Sequence, residues 1–455
     1  MKIGMLTWGS HGDIRPFLAL ADGLQLAGHE VHLVITSLEA GTYDKVRSPV
    51  GAKITVLTPL TFNAEQAEAI GQAAYRIRDP MKQMAEILRL AFAPAEDAMF
   101  EAARRLCAES DLLVGHYFMH PLQVAAEHAG LPYVSVLLSH GAVPSDYVNP
   151  LGLSMFGMRG NRLLWWLTRA LLNRTLRHYP DRLRKQLGMA PMRDIVSEVW
   201  VSRYLALVAV SPQLCPRQPD WPDSIQVCGF LDRPNCELEG VLPPSLSGFL
   251  AAGEAPVYMT FGSWMPKDLR GQTTALRLLT DAARAANCRA IIQCSDWSAC
   301  GFSSDDRILY VAAAPHHQIF PHCMAIVHHG GAGTTQSATL AGKPSIVVAN
   351  ISEQEHWGRE LKRIGIAGKP AKRRNASAAG IAAQIRHVRE NPGMSERARR
   401  IGEAMRQEDG VAEAVRQIEL RSRRVASNPL DRKRPAKAGL GRNISGRRRL
   451  PCLSA

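Results

Sequence analysis

The stretch that most restricts the fold is "AIVHHGGAGTTQS", residues 325–337. A short apolar run ends in two histidines, three glycines crowd into the next four positions, and two threonines open a helical pattern. A strand that turns through glycine into a helix is a βα unit, and βα units in series build a parallel sheet covered by helices. The chain begins in the same way. "KIGMLT" (2–7) reads as a buried strand, "WGSHGDIRP" as a glycine-bearing loop, "FLALADGLQLAGH" as a helix stopped at Gly28, and "EVHLVIT" as the next strand.

Further strands fit 53–57, 111–115 and 133–138, and then a second series fits 256–263, 289–294, 307–311, 325–331 and 344–349. At 455 residues the chain exceeds one ordinary core and suits two domains of about 200 residues each. Periodicity fades over 211–256, which is rich in Pro, Gly and Cys, so the connection between domains belongs there. The expected layout is a first domain at 1–235, a linker at 236–255, a second domain at 256–395 and a closing helix at 396–420. Residues 421–455 hold eleven Lys and Arg against one Asp, without apolar periodicity, and read as a disordered basic tail. That tail carries most of the formal net charge of +14, so the charge does not mark a nucleic-acid-binding core and no nucleic acid is expected.

No window reaches the roughly 18 uninterrupted apolar residues of a membrane span. The N-terminus reads as a strand and not as a signal peptide. Nine cysteines without a CxxC pair argue against a disulfide framework or a structural zinc site and suit a reducing cytoplasm. The stretch 151–188 is a basic amphipathic pattern with Trp165 and Trp166 among leucines. It fits an ordinary domain helix, the wall of an acceptor pocket, or peripheral contact with the inner membrane face, a contact the tail would also suit.

The glycine-rich junction has its own chemistry. A helix start leaves backbone N–H groups without partners, the helix dipole adds partial positive charge, and glycines admit a ligand close to the backbone. This is an anion site suited to a diphosphate, with His328 and Thr334 as further donors; without the lysine of a P-loop it does not imply nucleotide hydrolysis. Ser263, ending "TFGS", lies on another strand-end loop. Glu353 and Gln354, after "PSIVVA", offer the acceptors and donors that vicinal sugar hydroxyls need.

Residues 314–368, with "GSHGDIRPFLALADGLQLAGHEV" (9–31) and "VYMTFGS", resemble nucleotide-sugar-dependent glycosyltransferases of the UDP-glycosyltransferase family. The likeness is strongest to the bacterial branch of antibiotic, sterol-glucosyltransferase-like and rhamnosyltransferase-like enzymes. It implies an α/β fold with two facing Rossmann-like domains of GT-B type and a cleft between them. It also implies an inverting hexosyltransferase that uses a UDP- or dTDP-hexose as co-substrate, with no further cofactor, on an apolar lipid, sterol-like or natural-product acceptor. By the same resemblance His328, Gly330 and the backbone of Ala332, Gly333 and Thr334 would hold the diphosphate, together with Ser263. Glu353 and Gln354 would hold the sugar, although the family usually has Asp-Gln there. Asp13 would be the catalytic base, with His11 as its rival and His116 as its partner. The residue-level alternative for Asp13 is a helix N-cap.

No DxD-type acidic pair stands at a strand end and no His/Asp cluster shows ligand spacing, so catalysis without a metal is the expectation. A metal-independent nucleotide-sugar 2-epimerase and a catalytically silent sugar-nucleotide-binding scaffold are the alternatives.

Overall fold

The computed structural model describes residues 1–38, 41–58, 64–150, 157–232, 244–313 and 315–427. The first domain is a seven-stranded sheet of β1 (Lys2–Gly9), β2 (Glu30–Ser37), β3 (Lys53–Leu57), β4 (Leu112–His116), β5 (Tyr133–Leu137), β6 (Leu205–Val208) and β7 (Ile225–Val227). The second is a six-stranded sheet of β8 (Val257–Thr260), β9 (Ala290–Gln293), β10 (Ile308–Val311), β11 (Ala325–His328), β12 (Ser345–Ala349) and β13 (Ala371–Lys372). The strand orders are β3-β2-β1-β4-β5-β6-β7 and β10-β9-β8-β11-β12-β13. Every pairing is parallel. Helices cover both faces, and the inner strands are therefore apolar on both sides: Leu112, Leu113 and Val114 are all buried.

The winding direction reverses between β1 and β4 in one sheet and between β8 and β11 in the other. Loops leaving adjacent strands diverge at such a reversal, which leaves a crevice at the carboxyl ends. Both halves of this molecule place their crevice next to a strand-end histidine, His116 on β4 and His328 on β11.

The structure adds to the sequence reading in three places. β6, β7 and β13 were not foreseen; the last two are three and two residues long, too short to show a period. Helix Pro244–Ala251, in the stretch read as linker, packs Leu246 and Phe249 with Tyr258 and Ile291 of the second domain. Residues 233–243, which include the first part of that connection, lie outside the described residues. The end of the chain also differs from expectation. After Pro392–Met405, helix Gly410–Ser427 packs back onto the first domain, where Ala414 and Ile418 join the core of β1 and β2. Burying Ile418 contributes roughly 2 kcal/mol. The helix also takes in 421–427, the start of the stretch read as a disordered tail. Arg421 lies over the Tyr204 ring, and the Tyr204 hydroxyl meets Ser422 Oγ at 3.2 Å. Residues 428–455 lie outside the described residues.

The domains touch through more than this helix. Gln336 accepts from Ser211 N at 2.9 Å and donates to Ala209 O at 3.1 Å, both in the first domain. Lys267 N donates to Glu68 Oε2 at 2.7 Å.

Candidate active site between the domains

β1 ends at Gly9, whose φ of 136° lies outside the range of L side chains, and a Cβ there would collide with the Asp13 carboxylate. Helix His11–Leu26 then starts with Ser10, not Asp13, at the N-cap position. Asp13 reaches back from the first turn: its Oδ2 accepts from Ser10 N at 2.9 Å and Ser10 Oγ at 3.0 Å. The N-cap alternative is thereby corrected to the acidic member of a capping box. The other oxygen, Oδ1, stands 3.8 Å from His116 Nε2. Asp13 keeps 37 % of its side chain exposed.

His116 is buried, and burial lowers its pKa to about 3, so the ring is neutral. Phe118 N donates to His116 Nδ1 at 3.3 Å. A nitrogen that accepts carries no hydrogen, so the ring proton sits on Nε2, the atom that faces Asp13. His11, the rival, is bonded through Nδ1 to the Tyr43 hydroxyl at 2.9 Å, and burial followed by the Arg15 charge lowers its pKa to about 4.

The second domain repeats the device. His328 is fully buried, and Gly330 N donates to its Nδ1 at 3.1 Å. Burial, then the neighbouring His329 and His316, lowers its pKa to about 3. Its proton too is placed on Nε2, but here Nε2 has no partner in the protein. Next to it, helix Ala332–Leu340 begins after Gly331, and its first internal bond runs from Thr335 N to Gly331 O. The amides of Ala332, Gly333 and Thr334 therefore lack helical acceptors. Two glycines are required by the protein itself. Gly330 has φ 88°, with Gln354 O 2.7 Å from where a Cβ would stand, and Gly331 lies against the His329 ring. Gly333 is different: nothing lies within 4 Å of a Cβ built there.

The three strand-end loops meet. β8 and β12 flank β11, with Thr260 and Val347 both opposite His328. Gly262, beside Ser263, lies against His329, 2.8 Å from Cε1 to a built Cβ. Glu353 and Gln354 start helix Ser352–Arg363. Gln354 is buried and its Oε1 accepts from Asn350 N at 2.8 Å, which leaves the amide nitrogen as its free donor. Glu353 Oε1 accepts from Trp357 Nε1 at 2.9 Å. Burial, then the charge of Asp13, raises the Glu353 pKa to about 7. The buried Tyr117 phenol is likewise raised by burial and by both carboxylates. Asp13 from one domain and Glu353 from the other are thus near enough for their charges to interact.

Sequence reasoning missed the residues that complete this arrangement, Tyr43, Tyr117 and Trp357, because nothing local marks them. It also found no His/Asp cluster with ligand spacing, whereas the fold gathers His140, His356 and Glu360. His356 and Glu360 stand one helical turn apart, which was a readable signal; His140 comes from the other domain.

The comparisons with known proteins assign this parallel two-domain chain to the sugar-nucleotide-dependent transferases. Residues 296–420 match the erythromycin biosynthesis protein CIII-like, C-terminal domain family. The whole chain is similar to O-mycaminosyltylonolide 6-deoxyallosyltransferase of Streptomyces fradiae, 30% identical over 444 residues, covering 92% of this chain and 97% of the relative. It is also similar to a sterol 3-beta-glucosyltransferase of Arabidopsis thaliana, 26% identical over 438 residues, covering 91% of this chain and 67% of the relative. Among solved structures, the glycosyltransferase VinC in complex with dTDP superposes with a TM-score of 0.61 at 20% identity, covering 93% of this chain and 100% of that one. The chain belongs to the nucleotide-sugar-dependent UDP-glycosyltransferase family, has the GT-B fold and is a hexosyltransferase.

Proposed function

We propose that the chain moves glucose or a deoxyhexose such as rhamnose, with inversion, from a UDP- or dTDP-sugar to the hydroxyl of an apolar lipid, sterol-like or natural-product acceptor. The observation that carries this reading is the unpartnered His328 Nε2 at the helix start with the free amides of 332–334, in a chain whose other domain presents Asp13 beside His116. Asp13 removes the acceptor proton, and His116 Nε2–H steadies the carboxylate as it does so. The acceptor oxygen bonds to the anomeric carbon while the bond to the diphosphate breaks, through an oxocarbenium-like transition state. The amides, His328 Nε2–H and the Ser263 hydroxyl receive the leaving charge, so the step calls on no metal and no further cofactor. Glu353 and the Gln354 amide nitrogen hold the sugar hydroxyls.

The first domain supports an apolar acceptor. A small cavity near His116, with room for about one water, has a mostly apolar lining that includes Phe92, Phe118, Leu176 and Trp200 together with His120 and Tyr179, and an acceptor there would have to widen it. The same domain supports contact with an anionic membrane surface. On helix Gly157–Leu176, Leu163, Trp166, Leu167 and Leu171 are exposed, Trp166 by 65%, on a helix that also exposes Arg159, Arg162 and Arg174. No helix among the described residues is long and apolar enough to cross a membrane. One assay separates the alternatives: purified protein, a panel of UDP- and dTDP-sugars, and apolar alcohols with or without anionic vesicles. Nucleoside diphosphate release that needs the acceptor is expected. A donor sugar changed without any acceptor would instead establish an epimerase, and binding without turnover would establish a scaffold.

A further inference from the structure

His140 follows β5 in the first domain, and His356 and Glu360 lie on helix Ser352–Arg363 of the second. One ring nitrogen from each histidine and one Glu360 oxygen all lie within 4.8 Å of one another. The His140 and His356 rings are 5.0 Å apart and tilted by 58°. His140 Nε2 stands 3.7 Å from Glu360 Oε2. His356 is 7% exposed, and its Nε2 is buried without a hydrogen-bond partner, as is His140 Nδ1. An orphaned polar atom in a buried place costs free energy unless something satisfies it. Beside His356 Nε2 lies the bare Gly141, whose Cβ, if present, would stand 2.9 Å from it.

We propose that His140, His356 and Glu360 form a binding site for a borderline divalent transition metal, Zn²⁺ foremost, that bridges the two domains. The donor set of two imidazoles and a carboxylate is one that Zn²⁺ accepts, with a fourth position left for water. Nitrogens bound to one ion at about 2.0–2.1 Å bring their rings to a close, tilted approach of the kind seen here. Arg363 donates to Glu360 Oε2 from Nε at 2.9 Å and from Nη2 at 2.8 Å, which fixes the carboxylate and leaves Oε1 outside those bonds. A bound carboxylate is commonly oriented by such a second partner. Because the ligands come from both domains, the ion is held by all three only when the domains are closed as in this structure, so binding favours that arrangement.

The test uses the full chain, freed of metal by chelator dialysis, and two probes. Co²⁺ is added and its d–d absorption recorded, and Zn²⁺ binding is measured by equilibrium dialysis. One ion per chain is expected, with the intense visible bands of a low-coordinate histidine site. His140→Ala, His356→Gln and Glu360→Gln are each expected to weaken Zn²⁺ binding at least tenfold, while His322→Ala, a histidine away from the group, leaves it unchanged. His140→Ala removes a ring from a loop and not from a core, so it remains informative if the other variants fold poorly. Amide hydrogen exchange with and without Zn²⁺ then reads the bridge: slower exchange is expected both around Gly141 and along 352–363. Absence of binding, binding that all three variants retain, or protection confined to one domain would overturn the proposal. None of these readouts depends on sugar transfer.

Discussion

His116 and His328 are the same device used in two different settings. Each ends the strand at the winding reversal of its sheet, each accepts at Nδ1 from the amide two residues on, and each is kept neutral by burial. Each therefore presents a fixed N–H from Nε2. What differs is the group in front. His116 faces a carboxylate that a capping box already holds, whereas His328 Nε2 is buried without a hydrogen-bond partner among the described residues. The first domain has filled its crevice with a proton acceptor. The second has left its crevice to a ligand, and three free helix-start amides there point to an anion. The lesson is that one local design yields a base or an anion site according to what the next loop supplies.

The sharpest way to break this comparison is Asp13→Asn, which keeps the cap geometry and removes the base. Turnover should fall by about 10²–10⁴-fold while donor affinity stays, measured by steady-state rates and by titration of the nucleoside diphosphate. Wild-type turnover in this variant would end the assignment. His328→Ala removes the donor on the other side, and kcat should fall by about 10²–10³-fold with the pH profile unmoved. His116→Ala removes only a neighbour of the base. A loss nearer to tenfold is expected, accompanied by a shifted acidic limb of the pH–rate profile, since a fixed N–H favours the ionised carboxylate. An unchanged profile would leave His116 as packing.

Glu353 gives a test in stability. Its folded pKa, about 7, lies above its ordinary 4.5, so the folded state holds the proton more tightly than the unfolded state does. The stabilisation is complete below 4.5 and is lost as pH rises through 7, by up to about 3 kcal/mol. Glu353→Gln should abolish this fall, seen as denaturation midpoints that no longer separate between pH 5 and pH 8. Asp13→Asn should shift the wild-type transition toward lower pH, because the facing charge is gone. The smallest effect separates two glycines. Gly333→Ala should gain up to about 1 kcal/mol in stability from helix propensity yet raise the donor KM severalfold, because its methyl enters the ligand's space. Gly330→Ala should destabilise, having both a left-handed φ and the Gln354 carbonyl against it.

Most of the fold could be read along the chain, because buried parallel strands are short apolar runs and helix starts carry local signs. Ten of the strands were marked in this way, and the Gly28 stop falls at φ 84° directly after the helix. The very short β7 and β13 were not, since pairing partners and not period make them strands. The site residues were legible where a loop concentrates them, as at 328–334 and 353–354. Asp13 was legible as a residue, but not the division of its carboxylate, of which the cap and the histidine take different oxygens.

What the sequence alone determined was the alternation of strand and helix, the glycines at their junctions and the unpaired amides that follow. These depend on backbone sterics and hydrogen bonding within a few residues. Only the tertiary structure decided that Asp13 confronts Glu353, that helix Gly410–Ser427 returns to the first domain, and that His140 meets His356 and Glu360. Those meetings join residues more than 200 positions apart, and they arise from how two cores pack against each other, which no local pattern encodes.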